Sequence, residues 1–432
     1  MGAIQRVGVA GVSVTLPCGV TLTAEVAISA AGTSYGLWGS GRWGEFIWGP
    51  ATVWEDLSTR LRKFSTNRAF QRDLQVWRTG VGSIVLDNRD GNLSPDKLDG
   101  TYAVGGITMI RPSRPVRLRA SYGGITYGLI RGRCADWEED WTDAPIGAGD
   151  ATVTIGIEDD WAALAVDGEE QSAVGTGDVF GVRMHRILDA IGHRGERSID
   201  EGSVTMQATT LASQPVQELT ITAESEGGAV WVDADGVLRA ARRYALIEEL
   251  RSNSTQATFG DDIAGGELPY SNPRQSFDRS LLCNYASYKR LGGAAQVASD
   301  PVSISVHTMK KRTRTDLVCE TDAQALSLAQ WRVAQYKNPE RRITRITVYP
   351  QRDPDVLFPA VLGLRERDLV LVKRRPAGGH TISRYCHVSG IHHSWGARQS
   401  WRTDIDLWSA TPYIALRDSR WGVGRWGEFV WL

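Results

Sequence analysis

The sequence predicts a mainly β protein with α+β inserts, and three observations carry that prediction. Short stretches in which apolar and polar residues alternate recur along most of the chain, as in Pro115-Val-Arg-Leu-Arg-Ala120 and Thr152-Val-Thr-Ile-Gly-Ile157. Alternation is the period of a strand with one face buried. Turn chemistry separates these stretches, with 46 glycines in 432 residues and runs such as Asp87-Asn-Arg-Asp-Gly91-Asn-Leu-Ser-Pro95. Helical spacing, by contrast, is confined to a few short segments.

Taken in order, residues 1–52 read as an N-terminal arm of short extended pieces. Residues 53–165 read as strands joined by turns, a barrel or sandwich. Leu74-Gln-Val76-Trp-Arg78 alternates, Gly82-Ser-Ile-Val-Leu86 is a compact apolar strand, and Tyr122-Gly-Gly124 is a hairpin turn before Ile125–Arg131. Residues 166–279 form a small α/β insert region. Val182, Ile187, Leu188 and Ile191 predict one helix, stopped by Gly192. A second begins at Ser213-Gln-Pro215 and ends near Gly227-Gly228, followed by a hairpin around Asp235-Gly236. A loop-rich passage is expected around Pro269 and Pro273.

Residues 280–410 return to strands, at Asn284–Tyr288, Ile343–Tyr349, Leu369–Lys373, Tyr385–Ile391 and Thr403–Trp408. Among them lies a helix over 322–337. Thr321-x-x-Gln324 is its capping box, Leu326, Ala329, Val333 and Tyr336 its apolar stripe, and Asn338-Pro339 its stop. Residues 411–432 are a C-terminal arm.

Bulk properties narrow the function classes. The 49 basic and 50 acidic residues leave a net charge of −1, which argues against a general nucleic-acid-binding surface. Five widely spread cysteines without a CxxC fit unpaired thiols of a protein made in a reducing cytosol. The N-terminus lacks a basic region followed by an unbroken apolar core, and no stretch reaches the roughly 18 apolar residues of a membrane span. A protein that is soluble when made is therefore expected.

Each arm carries the same phrase. Trp38–Trp48 reads WGSGRWGEFIW and Trp421–Trp431 reads WGVGRWGEFVW, identical at nine of eleven positions. The tryptophans recur every fifth residue, a beat that suits neither helix nor strand. Gly39-x-Gly41-x-x-Gly44 and Gly422-x-Gly424-x-x-Gly427 match a dinucleotide fingerprint in letters only. That fingerprint needs a strand before it and a helix after it, and here only Leu432 follows the second copy. Gly32-Thr-Ser34-Tyr-Gly36 likewise lacks the strand-to-helix context of a nucleophile elbow.

Other candidates for chemistry have plainer readings. Trp137-Glu-Glu-Asp-Trp141 offers carboxylates, but neighbours on one strand or turn are ordinarily solvated. Cys386, His387, His392 and His393 lie close in sequence without zinc-finger spacing, and adjacent histidines on a strand face opposite ways. Asp87–Asn92 and Asp233–Gly236 miss the calcium-loop spacing and read as turns. Lys310-Lys-Arg312 and Lys373-Arg-Arg375 are short basic clusters, read as solvated loops with phosphate contact as the alternative. No nucleophile–base–orienter set emerges. Catalytic, cofactor-binding and metal residues are therefore all assigned as none, which favours a structural role.

The passage Gly82-Ser-Ile-Val-Leu-Asp-Asn-Arg-Asp-Gly-Asn-Leu-Ser-Pro95 resembles the hub-type minor tail proteins of long-tailed bacteriophages, particularly those infecting actinobacteria. Further matches follow in order: Pro115-Val-Arg-Leu-Arg, Tyr127-Gly-Leu-Ile-Arg-Gly132 with Trp137 and Trp141, and Arg186-Ile-Leu-Asp-Ala-Ile-Gly192. Asp322-Ala-Gln-Ala-Leu-Ser-Leu-Ala329, Arg374-Arg-Pro-Ala-Gly-Gly379 and Cys386-x-Val-x-Gly-Ile391 complete the series, which spans about 53–410. The resemblance implies two tail-tube-like β-barrels per chain, near 53–165 and 280–410, and a homotrimeric tail-tip or baseplate hub. Three chains with two barrels each make a pseudo-sixfold ring that joins a sixfold tube to a threefold tip. Tail tube proteins would sit above and tip or fibre proteins below, with DNA passing through unbound. The implied location is the virion tail tip, after synthesis in the host cytoplasm.

The arms lie outside the matched part. Each tryptophan can bury roughly 150–250 Å², so Trp38, Trp43, Phe46, Trp48, Trp421, Trp426, Phe429 and Trp431 are the candidate interaction residues. The alternative is that each arm folds back on its own barrel. Competing functions are a receptor- or carbohydrate-binding tail protein in contact with the host surface, and a cell-wall hydrolase using the carboxylates near Trp137.

Overall fold

The computed structural model describes residues 14–28, 54–71, 76–142, 149–164, 177–210, 214–277, 279–397 and 399–418. The fold is mainly β with smaller α/β parts, as the alternation predicts. Two compact units share the chain. The first takes the residues up to Thr66, Val81–Asp159 and His393–Trp401, and the second Asn67–Gly80, Asp160–His392 and the residues from Arg402.

The first unit is built on antiparallel strands: β1 (Thr21–Val26), the start of β2 (Leu61–Gln71), β3 (Val81–Asp87), β4 (Pro115–Tyr122), β5 (Ile125–Trp141) and β6 (Ala151–Glu158). The spatial order is β1-β4-β5-β6-β3-β2. Every second residue enters the core: Leu22 and Ala24, Ile84 and Leu86, Val116, Leu118 and Ala120, then Val153, Ile155 and Ile157. Gly123 and Gly124 take positive φ in the β4–β5 hairpin, as the sequence predicts. Thr21–Val26, read as part of the N-terminal arm, belong to this unit, because β1 pairs with β4 along its whole length.

The second unit contains a mixed α/β core. Helix α1 (Phe180–Ala190), helix α2 (Pro215–Glu226) and the hairpin β7 (Ala229–Val232) with β8 (Leu238–Ala241) form where expected. Pro215 occupies the first turn of α2 and Gly227 closes it in the left-handed region. In α1 the buried face is Phe180, Arg183, Met184, Ile187 and Leu188, while Val182, expected inside, is exposed. Arg183 can be fully buried because its guanidinium bonds Thr222, Thr209 and the Gln207 carbonyl.

Elements from beyond residue 279 complete this core, among them β11 (Tyr285–Arg290) and helix α3 (Asp322–Tyr336), with Leu317, Val318 and Cys319 just before the helix. The Thr321–Gln324 capping box is present in both directions. The stripe is shifted from the expected one, with Ala325, Leu328, Ala329, Arg332 and Val333 buried and Leu326 only half-buried. An arginine stands at an apolar position, and Leu328 takes the core place expected of Leu326.

The remaining strands of the second unit are β9 (Thr255–Gly260), β10 (Ser271–Phe277), β13 (Arg341–Val348), β14 (Leu369–Arg374), β15 (Ile382–Gly396, to His392) and β16 (Gln399–Ser409, from Arg402). Between β11 and β13 lies β12 (Lys311–Leu317), parallel to β11. The passage expected to be loop around Pro269 and Pro273 is partly strand. Its β10 pairs with β13 alone among the described strands, an edge position that tolerates Pro273. Helix α4 (Pro354–Leu362) opens on Pro354, a helix-start signal, but the internal Pro359 obscures it; it buries Leu357, Phe358, Val361 and Leu362. The C-terminal arm begins as helix α5 (Thr411–Asp418).

Candidate functional site

The candidate interaction residues Trp38, Trp43, Phe46, Trp48, Trp421, Trp426, Phe429 and Trp431 lie outside the described residues, as do Ser34 and both glycine fingerprints. The other candidates can be placed.

The acidic run lies on β5, where Glu138 and Asp140 are exposed and Glu139 faces the other way. Glu139 accepts a hydrogen bond from the Ser94 hydroxyl at 3.0 Å, and Trp137 Nε1 donates to the Leu93 carbonyl at 3.0 Å. Both tie the strand to the 87–95 turn. Adjacent strand carboxylates on opposite faces do not flank one bond as a glycosidase pair must.

The aspartates of that turn are held by arginine. Hydrogen bonds from Arg89 and then Arg62 keep the Asp87 carboxyl well below the usual carboxylate range. Asp90 is lowered in the same way by Arg60, which it meets at 2.6 Å. Buried Asn88 closes the turn by accepting from the Leu93 amide at 2.8 Å. Asp233 spans its own turn, accepting from the Asp235 and Val237 amides at 3.0 Å and from Arg239 at 2.5 Å.

The Cys386–His393 group is dispersed by its strand. His387 is buried with Nε2 3.0 Å from the Ser252 carbonyl, and desolvation pushes its pKa down to about 3. His392 Nε2 meets Asp406 at 2.8 Å. His393, in the first unit, stacks edge-on with Trp401. Among the described residues no group of three or more His, Cys, Asp or Glu is placed to hold a metal. Of the basic clusters, Lys373-Arg-Arg375 is neutralised within the second unit. Arg375 binds Glu267 and Asp261 at 2.7 Å, and Lys373 reaches Glu267 at 3.2 Å.

The cluster Lys310-Lys-Arg312 leads instead to the most chemically unusual place in the second unit, a cavity of about 160 Å³. Six arginines line it, Arg242, Arg243, Arg312, Arg314, Arg332 and Arg367, against the single carboxylate of Glu224. Aromatic side chains of Tyr288, Trp331, Tyr336, Trp408 and Tyr413 supply its walls. Three of the arginines are spent on structure. Arg314 pairs with Glu224 and Asp316, Arg242 meets Glu248 at 2.7 Å, and Arg243 donates to the Glu226 carbonyl and to Ser327.

The other three have no ion pair among the described residues. Arg332 lies over the Tyr336 ring at 4.1 Å and beside the Cys283 thiol, and its Nε and Nη2 atoms are buried without a hydrogen-bond acceptor. Arg367 lies over the Trp231 ring at 5.3 Å, with its buried Nε also unmatched. Gln335 adds an unmatched buried Nε2. Burial, and then the charge of Arg332, push the Arg312 pKa down. Desolvation does the same to Arg367, opposed by Glu249, Tyr413 and Asp200. Sequence reading missed this convergence because its residues come from separate stretches. Two signals were present: Arg312 and Arg314 share one face of β12, and Arg332 interrupts the apolar stripe of α3.

No protein-family model matches the chain, and no curated protein matches it in sequence. Solved structures do match in fold. The 43 kDa tail protein of prophage MuSo2 from Shewanella oneidensis aligns at 13% identity over 91% of this chain and 97% of its own, with a TM-score of 0.54. The tail protein from Neisseria meningitidis MC58 aligns at 13% identity over 90% and 96%, also with a TM-score of 0.54. Along nearly its whole length, the chain has a fold similar to that of these two tail proteins.

Proposed function

We propose that the chain is a structural protein of a bacteriophage tail, acting there as a trimeric tail-tip hub without catalytic activity. The observation that carries this reading is the extent of the fold likeness: about nine-tenths of this chain matches nearly all of two proteins described as tail proteins. Fold alone does not fix function, and the proposal rests on the likeness extending over nearly the whole of both proteins and not over one shared domain. The engagement of the acidic run and the aspartate turns in structural bonds supports the same reading.

In this proposal the antiparallel strands of the first unit form one tube-like part. Strands β9, β10, β13, β14 and the second-unit portions of β15 and β16 form the other. Three chains would then present six similar parts to a sixfold tube and a threefold face to the tip. The lumen carries DNA without holding it, which suits a net charge of −1. The Trp–Gly segments anchor the arms to neighbouring tail proteins. Mass measurement of the purified protein tests the hub directly. A trimer supports it, and a stable monomer that binds host glycan and forms no ring overturns it.

A further inference from the structure

We propose that the arginine-lined cavity of the second unit is a binding site for a phosphate group, gripped by Arg332 with Arg312, Arg367 and Gln335 around it. The cavity is lined by donors that lack acceptors. A buried N–H without a partner forfeits its water and gains nothing in return, so such groups are rare and call for a ligand or ion. Here Arg332 Nε, Arg332 Nη2, Arg367 Nε and Gln335 Nε2 are all in this condition, and all belong to residues lining one cavity. Arg332 and Arg367 are themselves more than nine-tenths buried, at 9% and 4% exposure.

The geometry of Arg332 is informative. Nε and Nη2 form the side edge of the guanidinium, the fork that takes two oxygens of a carboxylate or phosphate. Elsewhere in this protein that edge is used as expected, with Arg117 Nε and Nη2 bonding the two Glu25 oxygens at 2.7 and 2.8 Å. At Arg332 the same fork is buried and unused.

Charge selects phosphate over carboxylate. Arg312 and Arg332 repel one another inside the cavity, and the carboxylate of Glu224 is already bound to Arg314. A carboxylate brings one charge and two oxygens, enough for the Arg332 fork alone. A phosphate group brings a charge of roughly −1.5 to −2 and three acceptor oxygens, which also serve Arg367 and Gln335. The volume exceeds what one water needs, since a water occupies about 30 Å³ of liquid, and the aromatic walls suit the organic remainder of a phosphate ester. This inference does not depend on the tail reading.

The test is calorimetric titration of the full chain with inorganic phosphate in a phosphate-free buffer, with acetate as the singly charged control. Saturable phosphate binding with acetate at least tenfold weaker is the expected result. Arg332→Met should fold, because it removes a repelling charge from an apolar stripe, and should lose at least tenfold in phosphate affinity. Arg312→Met, at a half-exposed position, should also weaken phosphate at least tenfold and serves if Arg332→Met does not fold. Acetate binding as tightly as phosphate, no saturable phosphate binding, or undiminished phosphate affinity in whichever variant folds would each overturn the proposal.

Discussion

Arg68 and Glu366 form an ion pair with side chains only 6% and 4% exposed, and desolvation pushes the Glu366 carboxyl up even with Arg68 beside it. Removing one partner of a buried pair leaves a charge without compensation, at about 3–5 kcal/mol. Arg68→Met should therefore destabilise the protein by that amount at pH 7.5, read by chemical denaturation. Because the folded pKa is raised, the protonated carboxyl is favoured in the fold, and the penalty grows as pH rises through the folded value. The deficit of Arg68→Met against wild type should accordingly shrink towards pH 5; an unchanged deficit would contradict the assignment. His387 has the opposite sign of effect. Its folded pKa is depressed to about 3, so the stability it contributes is present above the unfolded value and lost as pH falls towards the folded one. Between pH 7 and pH 4.5 the wild type should lose about 2–3 kcal/mol more than His387→Gln. Equal losses would show that His387 is not held neutral by burial.

At the scale of elements, the strands and helices legible in the sequence were those whose local chemistry and burial agree. The Thr321–Gln324 box names its helix start and is formed in both directions, so Thr321→Ala should cost about 1 kcal/mol in a denaturation experiment. An unchanged midpoint would show the cap to be replaced. The motif glycines have a physical reason that spacing alone does not reveal. A Cβ at Gly132 would sit 2.0 Å from the Glu158 carbonyl oxygen, and one at Gly390 would sit 2.8 Å from the Arg68 carbonyl oxygen. Both are places where backbones approach closely, so Gly132→Ala and Gly390→Ala should each lower the midpoint by more than an exposed-strand alanine does. What the sequence concealed has an equally local cause. Pro359 masks helix α4, Pro273 masks an edge strand, and Arg332, buried among apolar residues, hides which face of α3 meets the core. In each case tertiary context overrides local propensity.

For the whole molecule, the fold class was legible because alternation survives wherever one sheet face is buried. The cavity was not, because Arg312, Arg332 and Arg367 meet only through the packing of β12, α3 and the turn before β14. The Trp–Gly segments are legible as a repeat, and their proposed role belongs to the assembly. Trp43→Ala with Trp426→Ala should leave the denaturation midpoint unchanged while lowering incorporation into particles; normal particles would remove that role. The central claim is three copies acting as a hub at the end of a tail tube. Imaging the assembled particle with the chain labelled tests it most directly. A ring of three chains capping the tube at its tip is the expected result, and a copy number other than three, or a position along the tube or on a fibre, would contradict it.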